Sequence, residues 1–422
     1  MNFPILKSKQ LILLLIGVSL ISINPRINGW NEASRMALTQ SLVERHSFTI
    51  DESVFIGSGD KVFIDDHFYS DKPVIPSILG AIAYAPLYAI GLELDYGWNL
   101  SYYLIILFTM KVFWIASILA FRKSLAFTPI LNKHVPLAVM IFAFASLSFT
   151  WSSSFNNHSL AASSLMIGFF YYLRGKQLAE MHSLIWSGFF FGLAASMDMP
   201  TSVFLVGFGY LVFQKWRWRK ALLWFLAGAV VPLFISLVVN YSIGKTLLPL
   251  QINPGFFVFE GSVWTDHNSL SGTNLNSLGF FLQYTFLSLF GVKGFIWYNP
   301  LLLILIPVLI SNMRRKSTFH TETWVIFIGS LILMAYYFMF SSNYGGWSYS
   351  IRWFVPLLPL LIFYVFEMEH LTQNLTRLKV LWSLIICSVV IAIVGLINPW
   401  SNQDLSDIPF FANLKQLIGF FS

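Results

Sequence analysis

The distribution of charge constrains this chain more than any other feature. Long apolar spans separate the charged residues, and basic residues and carboxylates sort into alternate connecting segments. Lys7 and Lys9, Arg122, Lys123 and Lys133, Arg174 and Lys176, Lys215, Arg217, Arg219 and Lys220, Arg314, Arg315 and Lys316, and Arg377 and Lys379 make up 16 of the 26 Lys and Arg. These segments hold four of the 19 carboxylates, and the other 15 lie in the segments between them. Because basic loops stay on the cytoplasmic side, this alternation orients the whole chain and assigns almost every unusual polar motif to the opposite face.

Composition agrees with a polytopic reading. With 56% hydrophobic and 11% charged residues over 422 positions, the chain has too little polar surface to cover a soluble globule. It reads as an all-α integral membrane protein. A net charge of +7 would suggest nucleic acid as a partner of a soluble protein, but here the excess is spread over short cytoplasmic loops, which excludes nucleic-acid binding. The single cysteine, Cys387, lies inside an apolar run and excludes an internal disulfide or a cysteine-based metal cluster. Lys7 and Lys9 ahead of LILLLIGVSLISI outline a signal peptide. No small-x-small cleavage pattern precedes Asn24-Pro25-Arg26, so the segment is expected to be retained as the first helix.

Apolar spans fall at about 10–28, 101–121, 135–151, 159–173, 183–197, 200–214, 221–240, 294–311, 323–341, 352–367 and 379–397. This predicts a bundle of about 11 transmembrane helices, within a range of 10 to 13, as one domain over 1–422, with the N-terminus cytoplasmic. A further apolar segment, 74–93, would reverse the side of every later loop if it crossed. It is therefore expected to be an interfacial, non-spanning helix broken by Pro76 and Pro86. The stretch 278–294 reads as a partial helix leading into the next crossing. The first outer loop, 29–73, should hold a helix from Asn31, as N-cap, to about His46, followed by two short strands around an Asp65-Asp66 turn.

With this topology six polar clusters collect on the outer face: Asn31-Glu32 with Arg35, Tyr69 to Pro73, Asn156-Asn157-His158, Asp198-Met199-Pro200, Tyr298-Asn299-Pro300, and Tyr344 to Arg352. Each has a bland reading beside a chemical one. Glu32 is a general base or a favourable charge at a helix start. Asp71 beside Lys72 is a catalytic carboxylate next to a phosphate clamp or a solvated pair. His158 is a proton shuttle or a satisfied interfacial histidine, and Asp198 is read as the cap of the following helix. Arg352 favours function, because a guanidinium entering an apolar run is costly unless it is paired or binds an anion such as phosphate. Outer-face carboxylates could hold a divalent metal, although no spacing argues for a particular one.

In their order along the chain these clusters resemble a known family. An N-terminal helix, an outer loop running from W-N-E-A-S-R to Y-S-D-K-P, the FNNHSLAAS stretch, N-Y-x-x-G-K at 240–245, GFIWYNPLLL, and a final G-G-W-S-x-x-x-R are similar to the GT-C-fold glycosyltransferases. The similarity is greatest to bacterial relatives of the protein O-mannosyltransferases and lipid A aminoarabinose transferases, and it covers most of the chain. It implies transfer of a sugar from a polyprenyl-phosphate donor to a hydroxyl or amine of a glycan, glycolipid or protein acceptor. Transfer would be on the non-cytoplasmic face of a bacterial cytoplasmic membrane, with inversion. The family's usual first-loop pattern is Asp then Glu, whereas this chain has Asn31-Glu32. On this mapping Glu32 and Asp71 are the candidate catalytic residues, and Lys72, Arg352 and Tyr69 the donor-phosphate residues. Arg35, His158, Asn157, Tyr298 and Trp347 are acceptor-side or supporting residues. Two other readings stand beside it: a lipid or glycan transporter, for which the intramembrane Lys111 would suit a path, and a catalytically inactive member, which Asn31 favours.

Overall fold

A computed structural model of the chain describes residues 8–216, 219–264, 274–315, 317–341, 343–367, 374–401 and 407–421. Lys7, Arg217, Lys316 and part of the outer segment 241–278 lie outside the described residues.

The described chain is a helical bundle with one small hairpin. In order, α1 (Ser8–Ile21) leads through a loop to α2 (Trp30–Glu44), the hairpin β1 (Lys61–Ile64) and β2 (His67–Ser70), and α3 (Val74–Ala89). There follow α4 (Leu100–Ile106), α5 (Val112–Ser124), α6 (Val135–Phe144), α7 (Leu147–Trp151), α8 (Asn157–Leu178), α9 (Met181–Met197), α10 (Ser202–Trp216) and α11 (Arg219–Gly244). The last part comprises α12 (Leu278–Phe290), α13 (Leu302–Arg314), α14 (His320–Phe340), α15 (Leu358–Ile362), α16 (Leu375–Ile397) and α17 (Pro409–Phe421).

Four helices are long and apolar enough to cross a bilayer, at Leu100–Phe127, Lys220–Gly244, His320–Phe340 and Leu375–Ile397. The first includes α4 and α5, joined by a π-helical turn over Leu107–Lys111. Large apolar side chains on α11, among them Leu226, Val230, Phe234 and Val238, are exposed, as contact with lipid requires. Its other face packs on α9 through glycines. A Cβ on Gly228 would meet the Ile185 carbonyl oxygen at 1.9 Å, and one on Gly188 would meet that of Phe225 at 1.8 Å. Small residues thus let two backbones touch where no hydrophobic effect drives helices together.

Three expected crossings are shaped differently. Residues 135–151 divide into α6 and α7, because the Ser146 hydroxyl caps α7 by accepting from Ser148 N–H. The crossing expected from 294 begins only at Leu302, after the irregular segment that follows α12. Over 352–367, a tight 3-10 turn, Arg352–Leu357, precedes the short α15, since Pro356 and Pro359 remove backbone donors. The C-terminal α17 had no counterpart in the sequence reading.

The first outer loop carries the expected elements with one correction. The helix starts at Trp30 with Gly29 at its cap and ends at Glu44, so Asn31 lies inside the first turn and does not cap it. The hairpin forms as expected: Ile64 pairs with His67 and Lys61 with Ser70, and Asp65 and Asp66 take the positive φ values (49° and 65°) of a tight two-residue turn. Pro73 then opens α3, whose buried face lies on α2. The Ser77 hydroxyl donates to the Arg35 carbonyl at 3.1 Å, and a Cβ on Gly80 would meet Thr39 Oγ1 at 2.7 Å.

Candidate functional site

Helix α2 is buried along most of its length although its residues are polar, and it carries Asn31, Glu32, Ser34 and Arg35 into the interior. Such a helix is affordable only if its side chains find partners. Arg35 Nη1 donates to the Asn31 carbonyl at 2.8 Å and also to Asn31 Oδ1. Its Nη2 donates to Asn157 Oδ1 at 2.6 Å. Every acceptor is neutral, and Arg35 Nε is buried without a partner among the described residues. Burial lowers the Arg35 pKa to about 10, with Asp71 opposing, so the group stays charged at neutral pH.

Beside it the hairpin sets up an acidic pair around one lysine. Lys72 Nζ lies 2.8 Å from Asp60 Oδ2 and 2.7 Å from Asp71 Oδ2. Ser34 Oγ shares a 2.7 Å hydrogen bond with Ser70 Oγ and donates to Asp71 Oδ1 at 3.3 Å. Burial pushes the Asp71 carboxyl above the usual carboxylate range, against the pull of Lys72. Asp60 was not singled out from sequence, yet the hairpin register contains it. Lys61 opposite Ser70 places Asp60 next to Asp71.

Glu32 sits deeper. Its Oε2 accepts from Asn28 N–H at 2.9 Å, and its Oε1 accepts from Phe155 N–H at 3.2 Å and from the Tyr102 hydroxyl. One carboxylate thus ties the start of the outer loop to α4 and to the turn before α8. Burial raises its pKa from 4.5 to about 7, more than these donors lower it.

At the start of α8, His158 Nδ1 is 2.6 Å from Asp198 Oδ2, and the Tyr337 hydroxyl donates to Asp198 Oδ1 at 3.3 Å. The expectation that Asp198 caps the following helix is corrected here. Its side chain makes no cap bond and is spent on His158 and Tyr337, while its carbonyl accepts from Thr201 N–H and Oγ1. Asn157 Nδ2 donates to the Met197 carbonyl at 3.0 Å, so the residue that holds Arg35 is itself fixed by the end of α9.

Arg352 enters from the C-terminal motif. Gly345 and Gly346, at φ 91° and 61°, form a turn that a side chain would strain. After it, Arg352 Nη1 donates to the Trp347 carbonyl at 3.4 Å and the guanidinium lies 4.8 Å from the Trp400 ring centroid. Its Nε is also buried without a partner among the described residues, and Asp60 and Asp71 are the carboxylates whose fields reach it.

Three sequence candidates are placed elsewhere. Tyr69 points to the other side of the hairpin, packed near Val62, Ile64 and Leu250. Tyr298 is buried against Tyr349 and accepts from Phe410 N–H at 3.3 Å. The Trp347 side chain is exposed, and the residue touches the cluster through its carbonyl. Lys111 is fully enclosed. It donates to Ser22 Oγ at 2.8 Å and Ser152 Oγ at 2.9 Å and lies over Trp114 and Phe149. Among the described residues no three His, Cys, Asp or Glu side chains group so as to hold a metal ion.

No protein-family model matches the chain, and no curated protein sequence does. Solved structures match it along nearly its whole length. The crystal structure of ArnT from Cupriavidus metallidurans bound to undecaprenyl phosphate superposes with a TM-score of 0.51 at 13% identity, over 98% of this chain and 76% of that one. The chain has the GT-C fold. The apo form of the same ArnT gives a TM-score of 0.51 at 14% identity over the same shares. The Archaeoglobus fulgidus oligosaccharyltransferase gives 0.49 at 12% identity, over 94% of this chain and 57% of that one. The GT-C fold, together with the apolar helices, makes this an integral membrane protein.

Proposed function

We propose that this chain is a membrane glycosyltransferase. It moves a sugar from a polyprenyl-phosphate donor to a hydroxyl or amine of a glycan, glycolipid or protein, with inversion, on the outer face of a bacterial cytoplasmic membrane. The observation that carries the reading is the pair of guanidiniums, the buried Arg35 and the half-buried Arg352, each held by neutral acceptors with its Nε buried and unpartnered among the described residues, and with the Lys72-bound Asp71 acting on both. Buried cations left unpaired are costly, and an anion such as the donor phosphate would offset that cost. The ArnT of the same fold was crystallised with undecaprenyl phosphate.

As the bond from the anomeric carbon to phosphate breaks, negative charge grows on the phosphate, and the three cations stabilise it. Asp71 and Asp60 hold Lys72 in place. The topology belongs to the same proposal: about 11 crossings, with N-terminus inside and α3 lying on the outer surface without crossing, over the groove that takes the lipid tail. Asn31 favours a second reading, a catalytically inactive subunit that binds the lipid.

The test is transfer of radiolabelled sugar from a panel of polyprenyl-phosphate sugars to total membrane acceptors by the purified protein in detergent. Wild-type transfer that vanishes in Lys72→Ala and Arg352→Ala supports the reading. Binding of the labelled lipid without transfer from any donor favours the inactive subunit, and neither binding nor transfer removes both.

A further inference from the structure

Transfer to a hydroxyl or amine needs a base with a lone pair free to take the acceptor's proton. Neither of the two candidate catalytic carboxylates of the first loop, Glu32 and Asp71, offers one readily. Glu32 has both oxygens occupied by the Asn28 and Phe155 amides and the Tyr102 hydroxyl, and Asp71 is held by Lys72 and Ser34. His158 differs. The 2.6 Å contact of its Nδ1 with Asp198 fixes the tautomer with the proton on Nδ1, leaving Nε2 as an acceptor. Nε2 has no hydrogen-bond partner among the described residues, and the side chain is buried with 7% exposure.

The dyad is built from two turns 40 residues apart. His158 is the second residue of α8, next to the Asn157 that holds Arg35, and Asp198 ends α9 with its second oxygen accepting from Tyr337. Tyr337 is in turn stacked on Trp353, with ring centroids 4.7 Å apart and planes 4° from parallel. The charged groups acting on the ring are Asp198, Arg352 and Arg35.

We propose that His158 is the base that takes the acceptor's proton and that Asp198 is its positioning residue, an assignment that rests on the glycosyl-transfer reading above. The acceptor oxygen or nitrogen forms the new bond to the anomeric carbon, and its proton moves to His158 Nε2. The bond from that carbon to the phosphate oxygen breaks, and its electron pair leaves with the polyprenyl phosphate. The imidazolium is then paired with Asp198, while the new phosphate charge faces Arg352 and Arg35. Release of the proton to water resets the ring.

The test uses the full-length protein in detergent with the labelled donor that the wild type accepts. His158→Gln keeps the bulk of the side chain and an amide that can donate to Asp198, so a merely structural role survives it and a base role does not. Under the proposal His158→Gln and His158→Ala both lose about a hundred- to ten-thousand-fold in rate, while still binding labelled polyprenyl phosphate. Added imidazole restores part of the rate to His158→Ala. Asp198→Asn lowers kcat with little change in donor KM, and moves the acid limb of the pH–rate profile. Transfer by His158→Gln within threefold of wild type, or a profile that no dyad variant alters, overturns the assignment and leaves the glycosyltransferase reading standing. A wild type inactive with every donor overturns both.

Discussion

Glu32 gives a pH dependence of stability that follows from its burial. Its pKa is about 7 in the folded protein against 4.5 for an ordinary glutamate, so the native state holds this proton more tightly than the unfolded chain does. The sign is therefore the reverse of the usual acidic group. Below pH 4.5 both states are protonated and Glu32 costs nothing; as pH rises from 4.5 to about 7 the unfolded chain ionises first and stability falls; above that the loss is constant. A displacement of about 2.5 pH units at about 1.4 kcal/mol each makes the loss about 3 kcal/mol. Glu32→Gln removes the titration but turns an amide N–H toward one of the Asn28 or Phe155 donors, at a pH-independent cost of about 1–3 kcal/mol. The variant is thus expected to be the less stable protein at pH 5 and to equal or exceed wild type at pH 8. Unfolding midpoints of both proteins in one detergent, from pH 4.5 to 8.5, decide it. Other titrating groups, Asp71 among them, are common to both proteins and cancel in the difference. Parallel curves would refute the argument, because they would mean that the carboxylate reaches water or is ionised in the fold at low pH.

Two other substitutions probe the bundle. Gly228→Ala would put a Cβ 1.9 Å from the Ile185 carbonyl and must separate α9 from α11, so a destabilisation of about 1–3 kcal/mol is expected in a thermal unfolding assay. Lys111→Met replaces a buried amine that has no carboxylate partner among the described residues with an apolar chain of similar length. It should leave transfer intact and raise stability by about 1–4 kcal/mol. A transport path through Lys111 would show instead as loss of function in a folded protein.

How much of this was legible in the sequence depends on the range of the interaction. Local features were readable: the hairpin followed from alternating apolar residues around Asp65-Asp66, and its register even contained the approach of Asp60 to Asp71. The apolar spans and their loop charges gave a membrane bundle, which the fold bears out. The motif order that suggested the GT-C fold is matched by a superposition at only 13% identity. What could not be read is pairing across the bundle. His158 meets Asp198 40 positions away, Arg35 meets Asn157 122 positions away, and Glu32 meets Phe155 123 positions away. Each partner looks solitary along the chain, so Asp198 reads as a cap until His158 and Tyr337 are brought to it. Tertiary partners outbid the local roles because a buried polar atom costs more than a cap contributes.

Asn31 is the residue where the chain departs from the pattern it resembles, and its surroundings suggest why an amide suits the position. Arg35 is held by the Asn31 carbonyl, Asn31 Oδ1 and Asn157 Oδ1, all neutral, so its charge is fixed in place without being cancelled. A carboxylate at position 31 would form a buried ion pair with Arg35 and compete with any anion for it. Asn31→Asp is therefore expected to stay folded and to bind labelled polyprenyl phosphate about tenfold more weakly, the equivalent of about 1.4 kcal/mol. Filter binding of the labelled lipid across a salt series measures this, and the variant should show the shallower salt dependence. If the aspartate instead leaves binding unchanged and speeds transfer, then position 31 has lost a base rather than gained an arginine clamp, and Arg35 serves the fold alone.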